Sequence, residues 1–320
     1  MNTQIKLAII AIAIVIPLAS LAITQTNSPS NNSTNENSKL QVVASATFLY
    51  EFSQNIGKEM IDVTLLVPMG ADPHDWEPTI RDTERLQKAD MIIVNGIGYE
   101  HWLNSLELSD IAGILVDTSN GISTLDSANH DEEKHDDHAK EDGHDDEDNH
   151  NHGVLDPHIW LNPVFAQLQV KNIANALSNS DPTNKNYYQS NAAIYNQKLN
   201  LLDTKIRTEL SGCKTDFITF HDAFSYFSEE YGLTQHTIIS STDSHGDVTP
   251  KTLEHIISLA RELNIKIIFA EENTSTKTSQ VIADEIGGKV LVLSPLEIVS
   301  DETYVEKVTQ NLESLKDTLC

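Results

Sequence analysis

The chain has 320 residues, a length that favours about two domains of roughly 100 to 200 residues each. Its formal net charge is −27, from 48 acidic and 21 basic side chains. This balance argues against nucleic acid as a partner, because binding nucleic acid needs basic patches that release counterions from phosphates. Residues 126–153 hold twelve carboxylates against two lysines, so the rest of the surface is only moderately acidic.

The amino-terminal segment indicates export from the cytoplasm. Residues 7–23 read LAIIAIAIVIPLASLAI, which is long for a signal-peptide core and marginal for a membrane span. We assign residues 1–24 to a signal or anchor segment and residues 25–39 to a polar linker. No cysteine lies near the apolar run, so a lipid anchor is not expected. An uncleaved helical anchor and a cleaved signal both remain open, and both place the folded body outside the cytoplasm.

From residue 40 onward, short apolar runs alternate with helical stretches. The first half contains LQVVASA, MIDVTLLVP, MIIVNG and GILVDT, with FLYEFSQNIG and IRDTERLQKA as helices between them. The second half repeats the pattern with FITFH, HTIIS, IKIIFAE and KVLVLSP. Thr249 before Pro250 is typical of an N-cap and first helical residue. The alternation predicts an α/β protein with two four-stranded lobes, at residues 40–183 and 212–320. Its later helices are expected to begin near Asp222, Pro250, Thr276 and Glu302.

Residues 184–211, between the two lobes, predict one continuous helix. Apolar side chains recur there at intervals of three and four, which is typical of a helix with one buried face. About 27 residues at about 1.5 Å each would span roughly 40 Å. A helix of that length would join the lobes as a stiff backbone. The predicted buried face comprises Tyr188, Ala192, Tyr195, Leu199, Leu202, Ile206 and Leu210.

Cys213 and Cys320 are the two cysteines of the chain. In an exported protein they can form one disulfide, which here would close a loop of about a hundred residues. Two free thiols are the alternative. Zinc ligation by cysteine is disfavoured, because the sequence has no C-x-x-C spacing.

Three histidines share a setting that favours metal binding. His74 lies in the turn after MIDVTLLVP, His221 directly follows FITF, and His158 lies in LDPHIWLNP just before a helix. Ligands of open α/β sheets bind outside the carboxyl ends of the strands, so we expect these imidazoles to converge in the cleft between the lobes. Three neutral imidazoles with a fourth position to fill make a zinc-type site.

Several segments resemble signatures of the ZnuA-like metal-binding proteins of ABC importers, which serve zinc and manganese. They are GADPHDWEPT, LDPHIWLNP, FHDAFSYFSEEYGL and IKIIFAEENTSTKTSQVIADEIGGKVLVLSPL. The resemblance covers about residues 40–320 and includes the long helix and the acidic insertion. It implies a C-shaped clamp of two α/β lobes that holds one metal ion and delivers it to a membrane permease. Together with the amino-terminal segment, this predicts a membrane-tethered receptor outside the cytoplasm, and we expect a monomer.

The same resemblance assigns His74, His158 and His221 as metal ligands. A histidine at position 221 is similar to the zinc-preferring branch, so Zn²⁺ is expected and Mn²⁺ is less favoured. The fourth ligand departs from the pattern: many members have an aspartate where this chain has Ser294. A water molecule, Glu297 or Glu271 would then complete the site.

Residues 126–153 form an acidic, histidine-rich insertion whose composition predicts disorder. One hypothesis is that it collects zinc at weak accessory sites and raises the zinc concentration near the main site. The alternative is a solvating loop whose metal binding is incidental. The histidines concerned are His130, His135, His138, His144, His150 and His152.

An enzyme is the alternative from a different functional class. A three-histidine zinc with an open position is also the starting point of hydrolases and hydratases. Such an enzyme needs a positioned general base, and the sequence contains no H-E-x-x-H or comparable motif. We therefore expect no catalysis by this chain.

Overall fold

The computed structural model describes residues 39–68, 71–106, 111–125, 155–239, 248–272 and 276–320. The chain divides into Met1–Ser38 and the compact unit Lys39–Cys320, and only the second unit falls in these ranges. The predicted anchor and the six histidines of the insertion lie outside the described residues. Within those ranges, no helix combines the length and the apolarity needed to cross a membrane.

The first lobe is built on a parallel four-stranded sheet in the order β2-β1-β3-β4. All four strands fall where apolar runs predict them. The two inner strands, β1 and β3, are mostly buried and carry the helices on their faces. The strands are β1 Leu40–Ala44, β2 Ile61–Leu65, β3 Met91–Val94 and β4 Ile114–Asp117, and the helices are α1 Thr47–Gly57, α2 Ile80–Lys88 and α3 Pro163–Ser180.

The second lobe repeats this arrangement with a parallel sheet in the order β6-β5-β7-β8. The predicted N-cap is confirmed, since the Thr249 side chain accepts a hydrogen bond from the Thr252 N–H. The strands are β5 Asp216–Thr219, β6 Thr234–Thr237, β7 Ile267–Ala270 and β8 Lys289–Val292; the helices are α5 Ser225–Tyr231, α6 Pro250–Glu262, α7 Lys277–Ile286 and α8 Tyr304–Leu319.

Strand β6 begins two residues earlier than the apolar run HTIIS predicts. It lies at the edge of its sheet, where a polar sequence is tolerated because one side is open to solvent. The apolar residues Ile238 and Ile239 follow the strand and are buried. Their N–H groups donate to the carbonyls of Thr219 and Phe220. The apolar residues of HTIIS therefore lie in the buried segment after the strand, and the strand itself is polar.

The long connecting helix, α4, runs from Lys185 to Glu209. All seven residues of its predicted apolar face are buried. It packs against α1 and α3 of the first lobe and against α8 of the second. One apolar core extends from Phe52 in the first lobe to Phe217 in the second, so the lobes share a packed interior and α4 is a rigid brace between them.

Cys213 and Cys320 are joined by a disulfide with a sequence separation of 107 residues. The bond links the chain just after α4 to the residue after α8. Beside it, the Lys214 N–H donates to the Leu319 carbonyl at 2.9 Å. The second lobe is therefore closed covalently at the point where it begins and ends.

Candidate metal centre

The imidazoles of His74, His158 and His221 meet in one cluster, with one ring nitrogen from each lying within 4.8 Å of the others. The Nε2 atoms of His158 and His221 are 3.5 Å apart. A tetrahedral zinc ion with bonds of about 2.0 to 2.1 Å separates its ligand atoms by about 3.3 to 3.4 Å. The two nitrogens therefore already stand close to the spacing of two zinc ligands.

The cluster forms where several loops leave the carboxyl ends of parallel strands. His74 lies between β2 and α2, His221 lies two residues after β5, and His158 immediately precedes the 3₁₀ turn Ile159–Leu161. The Trp160 Nε1–H donates to the Pro295 carbonyl at 2.8 Å and ties the His158 segment to the loop after β8. The site thus combines residues of both lobes, as expected for open α/β sheets.

A carboxylate fixes the orientation of His158. Asp156 Oδ1 accepts hydrogen bonds from the His158 backbone N–H at 2.9 Å and from its ring Nδ1 at 2.7 Å. Both side chains are fully buried. With Nδ1 used as the donor, the lone pair of Nε2 is directed to the centre of the cluster. Sequence reasoning missed Asp156, although the repeated Asp-Pro-His spacing was a signal: Asp72 binds the His74 backbone N–H in the same way, at 2.9 Å.

Glu271 has the same relation to His221. Its Oε1 accepts from the His221 backbone N–H at 3.1 Å and makes a short hydrogen bond with the ring Nδ1. Glu271 directly follows β7, the neighbour of β5, so the pairing comes from the sheet order. This contact places Glu271 on the far side of the imidazole, where it orients the ring.

Glu297 is the carboxylate that faces the cluster directly. Its Oε1 lies 2.9 Å from His74 Nε2 and 3.7 Å from His158 Nε2, and its side chain is 8% exposed.

Ser294 has a structural role in the turn before Glu297. Its Oγ accepts a hydrogen bond from the Leu296 N–H at 3.1 Å. The side chain of Asn311 pairs with the backbone N–H and carbonyl of Ser294. Ser294 thus shapes the turn that presents Glu297.

Burial and hydrogen bonds together determine the pKa values of the side chains in the cluster. Burial lowers the pKa of His158 well below its ordinary value, because the charged imidazole loses hydration. Burial also opposes the charge of His221 and Glu297, but their contacts outweigh it. The hydrogen bond that His221 donates to Glu271 raises the pKa of His221, and the hydrogen-bonded His74 imidazole lowers the pKa of Glu297. An ionised carboxylate beside a neutral His158 is suited to a cation.

Two parallel-sheet lobes braced by one long helix, with imidazoles from both lobes meeting in the cleft, define a two-lobed solute-binding protein. Comparison with models of protein families matches residues 42–318 to the family described as "ZnuA: Zinc-uptake complex component A periplasmic". The chain belongs to this family, and the resemblance noted in its sequence is confirmed.

Individual relatives agree with this assignment. The chain is 41% identical over 290 residues to the high-affinity zinc uptake system protein ZnuA of Bacillus subtilis (strain 168), covering 88% of each chain. It is 32% identical over 289 residues to the zinc-binding protein AdcA of Streptococcus pyogenes serotype M6, covering 88% of this chain but 56% of AdcA. It matches the crystal structure of the metal-dependent lipoprotein YcdH from Bacillus subtilis with a TM-score of 0.72 and 37% identity, covering 88% and 99%. The predicted two-lobed α/β fold is confirmed.

Proposed function

We propose that this chain is the zinc receptor of an ABC importer, which captures Zn²⁺ between its lobes and delivers it to the membrane permease. The observation that carries this proposal is the buried cluster of His74, His158 and His221 facing the Glu297 carboxylate. Three nitrogens and one carboxylate oxygen are a common donor set for zinc. The names of the ZnuA and AdcA relatives, which refer to zinc uptake and zinc binding, support the same cargo.

The donor set favours zinc over manganese. Imidazole is a borderline ligand that suits zinc, whereas manganese prefers oxygen ligands in octahedral sites. The test is a titration of the purified chain without residues 130–152, in which we expect one tightly bound Zn²⁺ and much weaker binding of Mn²⁺. Failure to bind zinc, or a preference for Mn²⁺, contradicts the proposal.

The receptor is proposed to act outside the cytoplasm as a tethered monomer. The YcdH relative is called a lipoprotein, which supports attachment to a membrane. In this chain residues 1–24 would provide export or anchoring, and residues 25–39 would link the anchor to the first lobe, residues 40–183. Residues 184–211 and 212–320 would then act as the brace and the second lobe.

The chain is proposed to have no catalysis of its own. A zinc hydrolase needs a carboxylate or imidazole free to take a proton from the metal-bound water. The carboxylates around the cluster have other roles: Asp156 binds the His158 imidazole, Glu271 binds the His221 imidazole, and Glu297 is proposed to bind the ion itself. We expect no esterase or hydratase turnover by the zinc-loaded protein above that of free zinc.

Replacing Glu297 by glutamine is expected to weaken zinc binding at least about tenfold, because the neutral amide removes the one anionic group facing the ion. The affinity is measured by competition with a chelator of known zinc affinity. Glu285→Gln, an equivalent change at an exposed glutamate paired with Arg261, is the matched control and should leave the affinity unchanged. A larger loss in Ser294→Ala than in Glu297→Gln would instead assign the fourth ligand to Ser294.

Zinc affinity is expected to fall as the pH falls, because protons compete with the ion for neutral imidazoles. The pKa of His221 is raised above the ordinary value of 6.5, since its hydrogen bond to Glu271 outweighs burial. The decline should therefore begin above pH 6.5 and approach about tenfold per pH unit for each competing proton. Competition titrations at several pH values measure it, and an affinity that stays constant from about pH 8 to about pH 6 contradicts the assignment of His221.

Deleting residues 130–152 tests the insertion. If the insertion collects zinc, we expect the deletion to lower the number of zinc ions bound per chain while leaving one tight site. The rate at which the tight site fills at low zinc should also fall. Stoichiometry from metal analysis and filling rates from stopped-flow competition provide the measurement. If the zinc stoichiometry and the filling rate are unchanged, the insertion does not collect zinc and the solvating-loop alternative holds.

A further inference from the structure

Tyr99 carries a buried hydroxyl beside the candidate metal centre. The residue is 4% exposed, and its hydroxyl finds no protein partner among the described residues. Its ring packs edge-on against Trp160 at 5.0 Å and against His74 at 5.6 Å between centroids. Burying a hydroxyl without a hydrogen-bond partner costs stability. We therefore expect the Tyr99 hydroxyl to find a hydrogen-bond partner in another state of the site.

Glu297, Glu100 and Asp72 are the carboxylates that act electrostatically on this hydroxyl. The Tyr99 ring contacts the His74 ring, and His74 Nε2 in turn lies 2.9 Å from Glu297 Oε1. A phenol is protonated at neutral pH and can donate a hydrogen bond. Asp72 already holds the backbone N–H of His74.

Glu100 is also committed to other donors. It accepts from the Ser45 hydroxyl at 2.6 Å, from the Asn95 N–H at 2.7 Å and from the Gly96 N–H at 3.0 Å. Of the three carboxylates, Glu297 is the one whose hydrogen bonding must change when a metal ion binds.

A metal ion bound at the cluster would end the hydrogen bond between Glu297 and His74. In the structure His74 Nε2 lies 2.9 Å from Glu297 Oε1, as a hydrogen bond requires. A metal ion on His74 Nε2 takes the lone pair of that nitrogen, which then carries no proton to donate. If one oxygen of Glu297 then bound the ion, the other oxygen, in a buried site, would need a new hydrogen-bond donor.

We propose that the Tyr99 hydroxyl donates a hydrogen bond to the second carboxylate oxygen of Glu297 in the metal-loaded protein. This inference rests on the proposed function of the site. The hydrogen bond limits Glu297 to one bond with the metal, which suits four-coordinate zinc. Manganese takes more oxygen ligands and would gain from both oxygens of the carboxylate. Tyr99 is thereby a positioning residue that favours zinc over manganese.

The test is Tyr99→Phe, which removes only the hydroxyl, in the chain lacking residues 130–152. Zinc affinity should fall about 10- to 100-fold, the usual effect of removing a group that holds a metal ligand. Manganese affinity should stay constant or rise, so the ratio of zinc to manganese affinity narrows at least about tenfold. The Tm of the metal-free protein should stay constant or rise, because an unpaired hydroxyl is removed from the interior.

The matched control is Tyr188→Phe, since the Tyr188 hydroxyl is paired with Asp181 at 2.8 Å on the connecting helix. This variant should lower the Tm of the metal-free protein and leave the zinc-to-manganese ratio unchanged. If wild type binds zinc tightly and Tyr99→Phe keeps the wild-type ratio, the inference is overturned and the proposed function stands. If wild type itself binds no zinc tightly, both are overturned.

Discussion

The His221→Ala variant, in a chain lacking residues 130–152, is expected to lose more than about 100-fold in zinc affinity. Removing a group that only orients a metal ligand typically costs about 10- to 100-fold, and removing the ligand itself should cost more. His221 is the imidazole that the second lobe contributes, and its Nε2 lies 3.5 Å from that of His158. Calorimetric titration with zinc measures the loss.

His236→Ala is the control for this variant. His236 lies on β6 in the same lobe, where its Nε2 pairs with Asp216 at 2.9 Å and its side chain is 22% exposed. Its removal should leave the zinc affinity unchanged. The deletion background matters, because histidines of the insertion could bind the ion and hide the loss. If His221→Ala keeps one tight zinc equivalent, His221 is not a ligand of the ion and the three-histidine assignment fails.

Replacing both Cys213 and Cys320 by serine is expected to lower the free energy of unfolding by about 4 to 5 kcal/mol. The disulfide closes a loop of 107 residues, and in the chain-entropy model a loop of about that length contributes about 4.7 kcal/mol by restricting the unfolded chain. For a domain of this size each kcal/mol corresponds to roughly 2 to 4 °C in Tm. We therefore expect Tm to fall by roughly 10 °C or more.

Reduced wild type provides the control for the disulfide. Thermal unfolding in the presence of a reductant should bring the wild-type Tm down to that of the double-serine variant, whereas the variant itself should not respond. If the oxidised wild type and the variant unfold at the same temperature, the stabilising role of this bond is refuted.

The parts of the fold that could be predicted from sequence are those governed by local periodicity. Intervals of three and four identified the buried face of α4, from Tyr188 to Ile206, and the buried Leu210 just after it, because one side of a helix repeats every three to four residues. Strand β6 was misplaced by two residues, because its position depends on backbone pairing with β5 rather than on its own hydrophobicity. The order of strands in each sheet likewise depends on long-range pairing that no local pattern encodes.

The residues of the candidate site also fall into those that local sequence could identify and those that it could not. Its three histidines could be identified from their turns, and the contact of Asp156 with His158 follows from a spacing of two residues. The roles of Glu271 and Glu297 could not be separated from sequence. Glu271 meets His221 across 50 residues through the pairing of β5 with β7, and Glu297 is presented by a turn braced from α8. Both depend on the assembled fold.

A crystal structure of the zinc-loaded chain, with anomalous scattering measured at the zinc edge, tests the central claim most directly. We expect one strong anomalous peak in the cleft, about 2.0 to 2.1 Å from a ring nitrogen of His74, His158 and His221, with one oxygen of Glu297 completing the tetrahedron. A peak bound by residues of one lobe alone, or an ordered ion that leaves these imidazoles uncoordinated, would contradict the account.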